Sequence, residues 1–121
     1  MQVKRSEAKE QEVVIEYCNI KHIPVFAIPN GGSRNVIEAA NLKRQGVKAG
    51  VPDLMIPVAK HGYHGLFIEM KVGYNKPTEK QEKWINKLRD NGYKVKVCYG
   101  ANDAINTIVS YMFLQEIKED L

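Results

Sequence analysis

The sequence has no apolar run approaching the roughly 20 residues that a bilayer-spanning helix requires. Its opening residues, Met1-Gln2-Val3-Lys4-Arg5-Ser6-Glu7, carry no hydrophobic stretch ahead of the charges, so they do not read as a signal peptide. The expectation is a protein of the cytoplasm that spans no membrane. Cysteine is scarce. Cys18 and Cys98 cannot build a disulfide framework, and their apolar neighbours mark them as small core residues. With these two and three histidines, no tight set of soft or nitrogen ligands exists for zinc. His61 and His64 fall around Gly62 in a Gly-rich turn. Repeats, low-complexity stretches and linkers are also lacking, which makes residues 1–121 a single domain.

What is present is ordinary in bulk and uneven in distribution. A hydrophobic fraction of 44% and a charged fraction of 26% suit a globular chain with one core. The net charge is +4. Of 18 Lys and Arg, only Lys118 lies beyond residue 100, where four acidic residues gather. A basic body with an acidic tail suits a polyanionic partner, though solubility alone explains it as well.

Periodicity predicts a helix from about Ser6 to Lys21, with Ala8, Gln11, Val14, Ile15 and Cys18 on one stripe. A short strand follows in His22–Pro29, then a turn at Asn30-Gly31-Gly32. A helix over Arg34–Gln45 is expected to start at a Ser33 cap and end near Gly46. Asp53–Ala59 and Leu66–Lys71 read as a hairpin. Thr78–Asn91 reads as a helix with Trp84, Ile85 and Leu88 on one face and Gly92 past its end. Tyr93–Tyr99 alternates as a strand. Asn102 is the expected cap of a last helix reaching Lys118, with Ile105, Ile108, Val109 and Met112 inward. The order α-β-α-β-β-α-β-α implies an α/β fold with a central mixed sheet flanked by helices.

Phe67-Ile68-Glu69-Met70-Lys71 places a carboxylate and an ammonium on the same face of a strand, with Ile68 and Met70 on the other. Asp53 opens the preceding strand after Pro52, whose ring fixes the entering backbone. Hairpin pairing brings Asp53 toward the Glu69–Lys71 end. Hard divalent ions take carboxylate and carbonyl oxygens, so Asp53, Glu69 and the Met70 carbonyl are candidate ligands. Lys71 is a candidate to handle the attacking water or the developing charge. An exposed Glu–Lys pair on a strand edge is the bland alternative. Glu7 and Gln11 begin the inward stripe of the first helix, where polar residues need a partner. Thr78-Glu79-Lys80-Gln81 fits a capping box, and Gln81 also lies on the Trp84 face.

The runs Asn30-Gly31-Gly32-Ser33-Arg34, Gly46-Val47-Lys48-Ala49-Gly50-Val51-Pro52-Asp53-Leu54 and Gly65-Leu66-Phe67-Ile68-Glu69-Met70-Lys71, followed by Gln81 and Trp84, resemble the VRR-NUC (virus-type replication-repair nuclease) domain of the PD-(D/E)xK superfamily. The resemblance extends from about Glu7 to Met112. It implies a restriction-endonuclease-like fold, Mg²⁺ or Mn²⁺ as cofactor and DNA as substrate. It implies a catalytic core of Asp53, Glu69 and Lys71, Glu7 as a further metal ligand and Gln81 as the glutamine following the core. Stand-alone members are similar to phage proteins that resolve Holliday junctions as homodimers, which would place this chain in a host cytoplasm. The extra domains of larger eukaryotic relatives are not in this sequence. A two-fold dimer presents two sites to the two symmetric strands of a four-way junction. Tyr111-Met112-Phe113-Leu114 is a candidate dimer surface, with core packing as its alternative. Asn30, Gly31, Gly32, Arg34, Lys43, Lys48 and Lys76 are the candidate DNA contacts, the glycines through backbone amides. A broader nicking or flap nuclease and a non-catalytic DNA-binding module remain as other readings.

Overall fold

Ser6 starts the first helix, α1 (Glu7–Ile20), where its hydroxyl accepts a hydrogen bond from the Lys9 amide. That satisfies one of the free donors of a helix start. The computed structural model describes residues 6–30 and 35–114. After α1 come β1 (Phe26–Ala27), α2 (Val36–Arg44), β2 (Leu54–Ile56), β3 (Leu66–Lys71), α3 (Glu79–Asp90), β4 (Lys94–Tyr99) and α4 (Ala101–Phe113). The element order and the α/β class are those expected from the sequence.

The strands form one mixed sheet in chain order, β1-β2-β3-β4. β1–β2 and β2–β3 pair antiparallel, and β3–β4 pair parallel across α3. Every residue of β3 is buried, and its alternation divides the core in two. Leu66, Ile68 and Met70 pack with Val14 and Cys18 of α1 and Ile108 and Tyr111 of α4. Phe67 packs on the opposite face with Val95 and with Ile85 of α3. Leu54, Ile56, Leu66 and Ile68 are fully buried, and each contributes about 1.5–3 kcal/mol of transfer free energy.

Element edges depart from the sequence expectation for local reasons. β1 is two residues long, because Pro24 has no amide to give to a ladder. The cap of α2 is Asn35, whose side chain accepts from the amides of Ile37 and Glu38. Ser33, the expected cap, lies outside the described residues. α4 starts at Gly100 and not at Asn102. Gly100 has φ +87° and turns the chain straight from β4 into the helix. The Asp103 carboxylate accepts from the Tyr99 amide at this junction. The buried stripe of α4 is therefore Ala101, Ala104, Ile108 and Tyr111. Met112 packs at its edge, and the expected inward Ile105 and Val109 are only half-buried. The helix ends at Phe113, with Leu114 extended; Lys118 lies outside the described residues. The segment Tyr111–Leu114 is split. Tyr111 is core and donates its hydroxyl to the Val58 carbonyl at 2.6 Å, while Phe113 and Leu114 are exposed. α2 buries no residue, and Val36 and Ile37 are 87% and 72% exposed.

Candidate active site

In the β2–β3 ladder Leu54 stands opposite Ile68. Asp53 therefore arrives opposite Glu69, one residue past the last pair, with Pro52 buried behind it. Its carboxylate Oδ2 accepts a hydrogen bond from the Met70 amide at 2.7 Å. The amide and carbonyl of a strand residue leave on the same edge, so the Met70 carbonyl opens toward the Asp53 side. Glu69 is 2% exposed and Lys71 8%, and they are the buried charged residues of the described chain. The side-chain face expected from the period of two is thus observed, but it is interior and no solvated edge.

Gln81 joins the site from α3. Its Oε1 accepts from the Thr78 amide at 2.9 Å, and the Thr78 hydroxyl accepts from the Gln81 amide at 3.2 Å, which completes the capping box. The remaining amide nitrogen, Nε2, reaches Glu69 Oε2 at 3.5 Å, a long hydrogen bond. The helix start and the Glu69 carboxylate share one side chain. Glu69 Oε1 is buried and has no hydrogen-bond partner among the described residues. Burial, followed by hydrogen bonding with and repulsion from Asp53, pushes the Glu69 carboxyl up to about 9; Lys71 opposes the rise and the charge of Glu7 adds to it. Glu7, at the start of α1, is thus within electrostatic reach of Glu69.

Asp53 and Glu7 both act on Glu69 against the single Lys71. Among the described residues no three acidic, His or Cys side chains stand close enough to form a ready metal cage. Mg²⁺ does not need one, because it takes one or two carboxylates and fills its octahedron with water and substrate oxygens. Two carboxylates, one of them with an orphaned buried oxygen, and a backbone carbonyl are hard donors that fit such a cation. The histidines do not converge. His61 Nε2 lies 2.9 Å from the Tyr111 carbonyl, and the His64 ring packs edge-on against Tyr93.

The expected DNA contacts separate into groups. Asn30, Lys43 and Lys48 line one groove of about 450 Å³ between α2, residues 47–49 and α3. Lys76 is exposed in the loop after β3 and outside this groove. Gly31, Gly32 and Arg34 lie outside the described residues. The sequence reading missed three further groove residues, Lys80, Lys83 and Lys87. Their spacing on α3, three and then four apart around Trp84, was the signal that marks one helix face.

A family model for the VRR-NUC domain matches residues 2–102. A solved structure described as a VRR_NUC domain protein is 32% identical, covers 94% of this chain and 93% of its own, and superposes with a TM-score of 0.79. Another, described as a VRR_NUC domain, is 18% identical over 88% of this chain and 97% of its own, with a TM-score of 0.59, and supports the fold alone. No curated protein matches the sequence.

Proposed function

Because the chain belongs to the VRR-NUC family, and is on that ground a nuclease of the PD-(D/E)xK type, we propose that it is a divalent-metal-dependent DNA endonuclease selective for branched DNA. In this reading it acts as a homodimer in the manner of a Holliday-junction resolvase. The observation that carries the catalytic part is Glu69 Oε1, buried without a partner among the described residues beside the Asp53 carboxylate.

Asp53, Glu69 and the Met70 carbonyl would hold Mg²⁺ or Mn²⁺, with Glu7 as a further acidic group. When bound, the ion acidifies water and offsets charge on the phosphate. Asp53 is held in place by the Met70 amide. Gln81 orients the Glu69 carboxylate from one side. Lys71 is buried and its charge acts on that carboxylate; in this reading it positions the attacking water or stabilises the charged transition state. Lys71→Ala is expected to lower the cleavage rate about a hundredfold or more, as loss of one preorganised charge does, while leaving DNA affinity within severalfold.

The test uses a labelled four-way junction, a flap and a linear duplex, each with Mg²⁺, Mn²⁺ or EDTA. Cleavage in EDTA, or undiminished cleavage by Asp53→Ala and Lys71→Ala, contradicts the metal-nuclease reading. Symmetric paired nicks confined to the junction support the resolvase. Equal cutting of the flap selects the broader nuclease, and binding without cutting selects the non-catalytic module. Exposed Val36 and Ile37 on α2, and Phe113 and Leu114 at the end of α4, are candidate dimer surfaces. No helix among the described residues is long and apolar enough to cross a membrane.

A further inference from the structure

The groove between α2 and α3 has a composition that the catalytic reading does not use. Lys43 comes from α2, Lys48 from the following segment, and Lys80, Lys83 and Lys87 from α3, and no acidic residue lines it among the described residues. Lys83 also pairs with Glu79 at 3.5 Å, both side chains being exposed. Trp84 lies among these cations, with the Lys87 ammonium 5.2 Å from its ring centre. Lysines around an aromatic face suit a polyanion whose units carry a flat ring. A volume of about 450 Å³ is that of a small-ligand cleft, and the bases of a duplex are already stacked on their neighbours. An unpaired base can lie on Trp84 while the adjoining phosphates meet the lysines.

The groove is also joined to the catalytic site. Lys80 and Gln81 are consecutive on α3, and Gln81 reaches Glu69. Gly50, at the end of the segment that carries Lys48, packs so tightly on this turn that a Cβ there would lie 2.8 Å from the Lys80 carbonyl oxygen. We propose that the groove holds a single-stranded DNA segment adjoining the scissile phosphate, with Trp84 as the stacking platform. This rests on the nuclease reading and bears on its choice of substrate: DNAs with unpaired nucleotides at the branch are preferred over a fully paired four-way junction, which is the broader-nuclease outcome of the cleavage test.

Trp84 is the sole tryptophan of the chain, so the unmodified protein reports on its own groove. Intrinsic fluorescence is followed during titration with oligothymidylate, with a fork carrying a thymidylate arm, and with blunt duplex, all in EDTA so that nothing is cut. Quenching by the first two and not by the duplex is expected. Trp84→Ala should weaken oligothymidylate binding, measured by anisotropy, roughly ten- to a hundredfold, and Trp84→Phe should restore most of it. Each of Lys43→Ala, Lys80→Ala and Lys87→Ala should reduce the salt slope by about 0.7. An unchanged spectrum, equal quenching by blunt duplex, or lysine variants with an unaltered slope would overturn the proposal, whether or not Trp84→Ala folds. Quenching without cleavage in Mg²⁺ leaves the groove standing and removes the nuclease; cleavage without quenching does the reverse.

Discussion

Glu69 occupies a place that an isolated domain would not choose for an acid. Burying a carboxylate is costly unless its oxygens are paired; Oε2 meets the Gln81 amide, while the Asp53 carboxylate beside it can pair with Glu69 only when Glu69 carries a proton. Glu69→Gln should therefore melt at the same or a higher temperature than wild type without metal, and lose cleavage. Wild type should gain thermal stability from Mg²⁺ or Mn²⁺, by about 2.7 kcal/mol at a hundred times Kd, and the variant should gain little. Differential scanning fluorimetry with and without each ion decides both points. The two thiols give a second check. Burial pushes Cys98 up to about 11 and also raises Cys18, so neither carries much thiolate near neutral pH. A thiol reagent should react slowly with the folded protein at pH 8 and fully after denaturation. At this scale the sequence was informative about identity. Pro52-Asp53, Glu69-x-Lys71 and Thr78-x-x-Gln81 all carry the geometry they suggested. It was silent on depth. Nothing in a Glu-x-Lys triplet tells that both charges lie inside, because that depends on how β4 and α3 cover β3.

At the scale of elements, the approach of the loop after α2 to the start of α3 sets both the site and the groove beside it. Gly50 has φ +93° and meets the Lys80 backbone, whereas Gly46 has φ +103° and open space. Gly46→Ala should cost about 1–2 kcal/mol from the backbone conformation alone. Gly50→Ala should cost more and should also lower cleavage, because α3 must shift and carry Gln81 with it. Chemical denaturation of both variants separates the two contributions. Element types and order were legible because the apolar spacing is regular. Ends were less so. Gly100 displaced Asn102 as the start of α4 because a strand running directly into a helix needs a residue tolerant of positive φ. Packing against β4 and α1 then chose the face of Ala101, Ala104, Ile108 and Tyr111, leaving Ile105 and Val109 at its edge.

For the whole molecule, the informative surfaces are those assembled from distant segments. The groove lysines are spread from Lys43 to Lys87, and only Lys43 and Lys48 were marked from the sequence, since convergence of separate elements has no local signature. α2 presents Val36 and Ile37 to solvent, which the sequence reading of a helix over Arg34–Gln45 did not mark. If this face joins two copies, Ile37→Glu should convert a dimer to a monomer in sedimentation equilibrium with little change in the circular dichroism spectrum. An unchanged mass would exclude α2 from the dimer.

The sheet order β1-β2-β3-β4 has a consequence for how the chain folds. Asp53 and Glu69 belong to the same antiparallel hairpin, a local pairing that forms sooner than parallel pairing across a long connection. The two carboxylates are therefore expected to meet as the hairpin closes, ahead of the more distant contacts of α1 and β4. Their repulsion acts on the speed of folding as well as on its endpoint. Asp53→Asn, which removes one of the two charges, should fold faster than wild type in stopped-flow refolding, and an unchanged rate would show that the repulsion acts only on the folded state.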